Sequence, residues 1–206
     1  MTKSINIIIP LKGYRDGKSR LMDVLSDRKR YELNQFLITH TLTIASTMKS
    51  AADITVISPD SEIEAVTLEF GAAFIHQKTN GLNPALCETG RLVPSRRTIY
   101  IAGDLPSLNS SDLECLSAVR GIGISPDERD EGTNALSLPE PLTIPFSFGF
   151  NSFQRHFTSA RKTRFTVDIV RRSGLAFDLD TKEHLSRLKD WSLLEFGRNV
   201  TDIKAV

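Results

Sequence analysis

The sequence is poor in cysteine and in long apolar runs, and each shortage excludes a class of protein. Its 206 residues include two cysteines, Cys87 and Cys115, which lie far apart and lack the spacing of metal ligands. This usage favours reduced thiols in a cytosolic protein over a disulfide framework. No apolar run approaches the roughly 18 residues that a membrane span needs, and the run at residues 5–9 is too short for the core of a signal peptide. We therefore expect a cytoplasmic protein with no membrane partner.

Net charge is low as well, with a formal value of +1 at pH 7. The absence of a global positive excess argues against nucleic acid as the main partner. Positive charge is instead local, because residues 12–30 contain seven basic residues and three acidic ones. A Walker loop and the Ser-His-Asp and Cys-His arrangements of nucleophilic enzymes are missing too. At this length we expect one domain over residues 1–206, large enough to bury a continuous core.

Strand and helix patterns alternate along most of the chain. The apolar run at residues 5–9 is typical of a strand buried on both faces of a parallel sheet. Further strands are predicted at residues 53–58, 73–76, 98–102, 122–125, 133–138 and 165–170. Helices are predicted at residues 26–48, 61–71, 83–91 and 152–162, after residues 111 and 180, and as a final turn at 191–196. Repeated alternation favours right-handed βαβ units, so the sequence predicts a three-layer α/β fold with a mostly parallel sheet. The irregular second half is expected to add an antiparallel strand.

Serines stand where several of these helices are predicted to begin. Ser26 is expected to cap the first helix. Ser61 with Glu64, and Ser111 with Glu114, have the spacing of a capping box for two later helices.

A basic loop follows the first predicted strand. Loops at the carboxyl ends of such strands bind ligands in open α/β sheets. Gly13 and Gly17 let the backbone of this loop approach a ligand closely. The pattern predicts a polyphosphate, and hence a nucleotide, as the ligand; the alternative is a solvated surface loop. The cations concerned are Lys12, Arg15, Lys18 and Arg20.

Aspartates follow two other predicted segments. Asp104 comes just after the strand at residues 98–102, and Mg²⁺ prefers one or two carboxylates together with phosphate oxygens. The alternative for Asp104 is a turn or helix-capping role. Asp178 and Asp180 flank Leu179, so in an extended segment both carboxylates point to the same side. A metal ion shared with Asp104 would relieve their repulsion, although Asp180 alternatively caps the next helix.

Polar groups in the second half form a weaker candidate site. Thr133 and Asn134 offer a hydroxyl and an amide, and Ser152 stands at a predicted helix start with free backbone N–H groups that suit an anion. Ser152 alternatively serves only as a cap. His156, one turn further along, either faces this site or packs in the core.

Short motifs in a fixed order resemble those of the phospholactate guanylyltransferases, which make the guanylylated precursor of the deazaflavin coenzyme F-420. The resemblance runs from about residue 7 to residue 188. The motifs are Pro10-Leu-Lys12, Gly17-Lys-Ser-Arg-Leu21, Gly81-Leu-Asn83, Gly103-Asp-Leu-Pro-Ser-Leu108, Ser125-Pro-Asp127, Gly132-Thr-Asn-Ala-Leu136, residues 146–156 and Asp178-Leu-Asp-Thr181.

The resemblance implies a nucleotidyltransferase fold of the glycosyltransferase-A-like type. It further implies Mg²⁺ as cofactor and GTP as donor. The implied acceptor is 2-phospho-L-lactate, phosphoenolpyruvate or 3-phospho-D-glycerate, and a downstream transferase would consume the labile product. Asp104, Lys12 and Lys18 are the expected catalytic residues. By the same resemblance, site residues match positions for the metal (Asp104, Asp178 and Asp180), the acid (Thr133, Gly149 and Ser152), the nucleotide loop (Leu11, Lys12 and Lys18) and a loop near the base (Gly81 and Asn83).

Two other functions remain open from the sequence. One is nucleotidyl transfer to another cofactor or a sugar phosphate, as in molybdenum-cofactor guanylyltransferases, although a Gly-rich Leu-Ala-Gly-Gly-type loop is missing. The other is a catalytically silent nucleotide-binding protein. The segment rich in proline and phenylalanine also leaves a homodimer open.

Overall fold

A seven-stranded sheet forms the centre of the computed structural model, which describes residues 4–188. The strands are β1 (Ile5–Pro10), β2 (Ala52–Ser58), β3 (Ala73–His76), β4 (Thr98–Ile101), β5 (Ile122–Pro126), β6 (Thr133–Leu138) and β7 (Val167–Ile169). Their order across the sheet is β3-β2-β1-β4-β6-β5-β7. Within it, β6 runs antiparallel to both neighbours, and the other pairs are parallel. The predicted mostly parallel α/β sheet with an added antiparallel strand is therefore confirmed.

The helices lie between the strands in the order that the sequence predicts, with one short addition, α6. They are α1 (Asp27–Ser46), α2 (Glu62–Glu69), α3 (Leu82–Leu92), α4 (Ser110–Ala118), α5 (Ser152–Ala160), α6 (Ser173–Ala176) and α7 (Lys182–Leu188). Within residues 4–188, no helix has the length and apolarity required to cross a membrane. The helical turn predicted at residues 191–196 lies outside the described residues.

Helix capping agrees with the sequence at α1 and differs at two other helices. Ser26 accepts a hydrogen bond from the backbone N–H of Lys29 at 3.3 Å, as predicted. The capping box expected at Ser61 is wrong, because the Asp60 carboxylate accepts the Glu62 N–H instead, at 2.9 Å. The box expected at Ser111 is wrong as well, since α4 is capped by a different pair, Asn109 and Asp112. In both cases an acidic or amide side chain slightly earlier in the chain takes the role predicted for the serine.

Strand β1 is buried on both faces, and this burial positions the sheet. Ile7 and Ile9 pack into a core with α1 and α4, whereas Ile8 packs into a second core with α3 and α5. All three side chains are fully buried, and each burial contributes about 1.5–3 kcal/mol. Helices therefore cover both faces, and the loops that leave β1 and β4 meet at one edge of the sheet.

A third apolar cluster joins two segments that are distant in the sequence. Leu21 and Leu25, just after the basic loop, pack with Phe177, Leu179 and Leu185. Because Leu179 is fully buried, its neighbours on either side are held in a defined orientation. This cluster brings the basic loop and the segment around residues 178–180 together.

Candidate functional site

The basic loop after β1 is held by two polar side chains of α1. Asn34 donates its amide N–H to the carbonyl of Tyr14 at 2.7 Å. Arg30 donates to the carbonyls of Arg15 and Gly17, both at 3.4 Å. A Cβ at Gly17 would lie 2.6 Å from the Asn34 amide oxygen, so a larger residue there would displace the Asn34 side chain from its bond to Tyr14. These contacts hold the basic loop against α1.

Lys18 links the loop to two of the predicted aspartates. Its ammonium lies 2.5 Å from Asp104 Oδ2 and 3.4 Å from Asp180 Oδ1, and only 6% of its side chain is exposed. Burial by itself would lower the pKa of Lys18, but the charges of Asp104 and then Asp180 outweigh it and the pKa is raised. Arg20 adds a second cation, 2.8 Å from Asp180. Residues separated by more than 80 positions in the chain therefore meet at one point.

The backbone of Lys18 is also unusual. Its φ of +57° lies in the left-handed region, which a non-glycine residue adopts at a cost of about 1–3 kcal/mol. The buried ion pairs of its side chain hold this conformation. Such strain is found at functional sites more often than elsewhere.

Asp178 lies beside the same carboxylates. The backbone N–H of Leu179 donates to the Asp104 carbonyl at 3.0 Å, which joins the two loops directly. Burial raises the pKa of Asp178, and the negative charges of Asp104 and Asp180 raise it further. The structure therefore brings Asp104, Asp178 and Asp180 into one region with an excess of negative charge.

Asp178→Asn is expected to stabilise the protein at neutral pH. A carboxyl group whose pKa is raised by folding destabilises the folded state once the pH exceeds that pKa, and costs nothing below its unfolded pKa of about 3.9. The gain in unfolding free energy of Asp178→Asn over wild type should therefore be present at pH 7 and shrink as the pH falls towards 4. Each kcal/mol corresponds to about 2–4 °C in Tm for a chain of this size. Thermal unfolding at pH 7 and pH 4 measures the difference, with the exposed Asp168→Asn as control; an equal effect at both pH values would contradict it.

These aspartates have the donor chemistry of a magnesium site. Mg²⁺ takes hard oxygen ligands such as carboxylates and phosphates. The pKa of Asp178 is raised first by burial and then by the charges of Asp104 and Asp180, and a bound cation would offset that negative charge. Among residues 4–188, however, no three acidic, histidine or cysteine side chains converge into a ready cluster. The Lys18 ammonium lies between Asp104 and Asp180 instead. The residues fit a hard divalent cation by chemistry, and their role as magnesium ligands stays a prediction.

The other residues predicted for the nucleotide loop have different surroundings. Lys12 is exposed and forms no ion pair with any residue in the described part of the chain. Leu11 is buried, and a Cβ at Gly103 would overlap its side chain. Leu11 therefore packs the end of β1 against the loop that carries Asp104. Of the two predicted lysines, Lys18 contacts the aspartates and Lys12 does not.

Thr133 and His156, from the predicted acid site, are in direct contact. Thr133 Oγ1 lies 3.0 Å from His156 Nδ1, and the backbone N–H of Ser147 donates to His156 Nε2 at 2.9 Å. His156 is fully buried. Burial, with a smaller contribution from the charge of Arg155, lowers the pKa of His156 to about 4. The imidazole is thus neutral at physiological pH.

The loop before α5 is braced from the segment predicted to lie near the base. The Asn83 amide donates to the Phe148 carbonyl at 3.1 Å and accepts from the Phe148 N–H at 2.8 Å. Gly149 has a φ of +115°, and its carbonyl accepts the N–H of the buried Ser152 at 3.1 Å. Asn83, Gly149 and Ser152 are therefore connected, whereas Gly81 (φ +92°) precedes α3 and has no side chain to contribute.

Two residues that hold the site were not predicted from the sequence. Asn34 and Arg30 of α1 support the basic loop, and both are buried. Asn34 stands between Leu33 and Leu37 on the apolar stripe of α1, and a polar residue on such a stripe needs a partner. That signal could have identified Asn34 as a support for a neighbouring loop.

Solved structures share this fold. A Methanothermobacter nucleotidyl transferase has a TM-score of 0.67 at 15% identity, covering 96% of this chain and 100% of its own. The 4-diphosphocytidyl-2C-methyl-D-erythritol synthase of Anaerococcus prevotii has a TM-score of 0.60 at 13% identity, covering 92% of this chain and 98% of its own. At these identities the likeness concerns the fold alone, and it confirms the predicted fold.

Sequence comparison identifies relatives at higher identity. A phosphoenolpyruvate guanylyltransferase of Sphaerobacter thermophilus is 34% identical over 188 residues, which cover 88% of this chain and 90% of that protein. Another phosphoenolpyruvate guanylyltransferase, from Rubrobacter xylanophilus, is 34% identical over 195 residues, which cover 90% of this chain and 94% of that protein. The family model described as guanylyl transferase CofC like matches residues 5–189. The resemblance that the motifs indicate is thus confirmed, and the chain belongs to the CofC-like guanylyl transferase family.

Proposed function

We propose that this protein transfers GMP from GTP to the phosphate of a small three-carbon acid in the biosynthesis of coenzyme F-420, with phosphoenolpyruvate as the preferred acceptor. Membership of the CofC-like family supports the reaction, and relatives named phosphoenolpyruvate guanylyltransferase support the acceptor. The structural observation that carries the proposal is the buried Lys18 ammonium between Asp104 and Asp180. It puts fixed positive and negative charge at the edge of the sheet where such folds bind nucleotides.

The reaction requires mainly that the charges of the two anionic reactants are neutralised and that the reactants are aligned. An acceptor phosphate oxygen attacks the α-phosphorus of GTP, the bond to the bridging oxygen of the β-phosphate breaks, and pyrophosphate leaves with that electron pair. The acceptor phosphate is already an anion near neutral pH, so no general base is needed. Holding two anions in line is therefore the principal task of the protein. Lys12, Lys18 and Arg20 supply the cations for the triphosphate.

Asp104, Asp178 and Asp180 are the residues that would hold Mg²⁺ in this proposal. A magnesium ion held there supplies positive charge to phosphate oxygens and so lowers the repulsion between donor and acceptor. Leu179, between Asp178 and Asp180, is fully buried, and in an extended segment the residues on either side of such a residue point to the same side.

The deciding experiment crosses each nucleoside triphosphate with each of the three acids. Full-length protein is assayed for pyrophosphate release with Mg²⁺ and with chelator, and products are identified by mass spectrometry. A downstream transferase that consumes the labile product is added as a trap. We expect the rate of pyrophosphate release to be highest with GTP and phosphoenolpyruvate, and we expect chelator to stop the reaction. Sugar phosphates are included as further acceptors, and product from any nucleoside triphosphate with one of them would favour the second enzymatic function. No release with any pair would favour a silent nucleotide-binding protein.

Ser152→Ala is expected to raise the KM for the acid by about tenfold, because a hydroxyl that binds a charged group contributes about 1.5–3 kcal/mol. The KM for GTP should change much less, since Ser152 lies at the start of α5 and the basic loop lies after β1. Steady-state kinetics with each substrate varied in turn measures both values. Ser159→Ala, on the same helix, is the matched control. Equal effects on the two substrates would mean that Ser152 only begins the helix.

Two further parts of the proposal concern location and assembly. We place the protein in the cytoplasm, which fractionation of the source cells would check. We also propose a homodimer, and light scattering of the full chain would measure its molar mass in solution. Phe150, beside Gly149 in the segment rich in phenylalanine, is 92% exposed, which fits such contact.

A further inference from the structure

We propose that His156 is a positioning residue of the acceptor site, which holds the Thr133 hydroxyl so that its proton is directed to an anionic oxygen of the acid. It rests on the proposed function in one respect, because Thr133 is taken as a contact for the acid. His156 itself touches no substrate in this proposal. Its effect passes through Thr133.

The hydrogen bonds of His156 determine where its proton lies. A backbone N–H can only donate, so the Ser147 N–H at 2.9 Å requires an unprotonated Nε2. A neutral imidazole then carries its proton on Nδ1, and this N–H donates to Thr133 Oγ1 at 3.0 Å. The low pKa of His156, about 4, agrees with a neutral ring. Both ring nitrogens of this fully buried side chain are therefore occupied.

The Thr133 hydroxyl is consequently left with a proton to give. A hydroxyl has one donor and two lone pairs, and one lone pair is taken by His156. No other hydrogen bond of Thr133 Oγ1 occurs within residues 4–188. A hydroxyl that is held as a donor favours a ligand oxygen with negative charge, such as a carboxylate or phosphate oxygen.

A β-bulge in β6 brings Thr133 to the face where His156 lies. Ser125 pairs with Ala135, but the next residue, Pro126, pairs with Thr133, so one residue of β6 is extra. Without the bulge Thr133 would share the face of Ala135, two positions along, which packs in the core with α1 and α4. The bulge turns Thr133 towards α5 instead, as bulges next to active sites commonly do.

The bulge is itself held by a specific contact. The extra residue, Asn134, donates its amide N–H to the Leu175 carbonyl at 2.9 Å. On the other side, the Phe148 ring meets the His156 ring edge-on, with 4.8 Å between centroids. The arrangement around Thr133 is therefore set in advance of ligand binding.

Two substitutions at His156 separate the two hydrogen bonds. In His156→Asn the amide nitrogen takes the place of Nδ1 and keeps the donor to Thr133, but the contact with Ser147 is lost. In His156→Gln the amide oxygen takes the place of Nε2 and keeps the contact with Ser147, but the donor to Thr133 is lost. The exposed His76→Gln serves as control, and all variants are first compared by thermal unfolding.

We expect His156→Gln to raise the KM for phosphoenolpyruvate by about tenfold, with a change of less than about twofold for GTP. The KM of His156→Asn for phosphoenolpyruvate should lie much closer to the wild-type value than that of His156→Gln. In a Thr133→Val background, which lacks the hydroxyl, His156→Gln should add less than about twofold, since coupled residues are not additive. A larger effect of His156→Asn than of His156→Gln, equal effects on both substrates, or full additivity would each overturn the proposal.

Two measurements keep the proposal testable without turnover. NMR of protein with ¹⁵N-labelled histidine reads the tautomer of the wild-type ring directly, and a proton on Nε2 would overturn the inference. Calorimetric binding of phosphoenolpyruvate to the same variants gives dissociation constants in place of KM. If the wild type binds this acid but makes no product, the proposed function fails while the order of the variants still decides the role of His156. If the wild type does not bind the acid, the role of His156 fails as well.

Discussion

Asp104→Asn is expected to lower kcat by about 10²–10³-fold, the range for removing one electrostatic group from a preorganised site. The change removes a negative charge that lies 2.5 Å from the Lys18 ammonium and beside Asp178. An asparagine has nearly the same shape and its amide oxygen can still accept from Lys18. The backbone bond from Leu179 to the carbonyl of residue 104 is also kept. The protein should therefore stay folded while the transfer reaction is lost.

The measurement is kcat at saturating GTP and acid over a range of Mg²⁺ concentrations, together with thermal unfolding. Asp168→Asn, which changes an exposed aspartate on β7, is the matched control. Activity within about threefold of the wild type, less than 1 kcal/mol in barrier height, would remove Asp104 from the mechanism. A loss that high Mg²⁺ restores would mean that the carboxylate acts through metal affinity.

Lys18→Met is expected to lower kcat/KM for GTP by about 10²–10³-fold and also to lower the stability of the protein. The methionine fills a similar volume but leaves Asp104 and Asp180 without the ammonium between them. Breaking a buried ion pair costs about 3–5 kcal/mol; both carboxylates are about one-third exposed, so solvent screening should reduce that cost.

The pH dependence gives Lys18 a second test. Because its pKa is raised by folding, its stabilising effect is complete at neutral pH and is lost only as the pH rises above the ordinary lysine value. The difference in Tm between wild type and Lys18→Met should therefore narrow as the pH is raised from 7 to above that value. Lys162→Met, at an exposed lysine after α5, is the control. A Tm difference that stays the same between pH 7 and a pH above the ordinary lysine value would contradict the role of these ion pairs.

Lys12→Met provides the contrast within the same loop. Lys12 is exposed, so its loss should leave Tm unchanged. If it contacts the triphosphate as proposed, the KM for GTP should rise. Comparison of Lys12→Met with Lys18→Met thus separates the effect on GTP binding from the effect on the stability of the site.

Local patterns in the sequence were sufficient for most of the fold. The apolar run at β1 identifies a strand covered on both faces, because few other structures bury consecutive isoleucines. The helix starts at α2 and α4 could not be decided in this way. Serine, aspartate and asparagine have similar capping strength, and several stand in a row before each helix. Which of them caps depends on the path of the preceding loop.

The site was predictable as a set of residue types and not as an arrangement. Lys18 and Asp104 were both expected near the nucleotide, yet the sequence does not indicate that the ammonium inserts between Asp104 and Asp180. That contact depends on the cluster around Leu21 and Leu179, whose members are more than 150 positions apart. Local periodicity carries no information on such pairings.

The amino-acid sequence by itself determined the α/β layers, the basic loop after β1, the three aspartates and membership of a guanylyl transferase family, because each depends on local order along the chain. Only the tertiary structure decided that Lys18 and not Lys12 pairs with the aspartates, that a bulge turns Thr133 towards His156, and that Asn34 and Asn83 support the loops. These contacts join segments that are distant in sequence, and the packing of the apolar clusters brings them together.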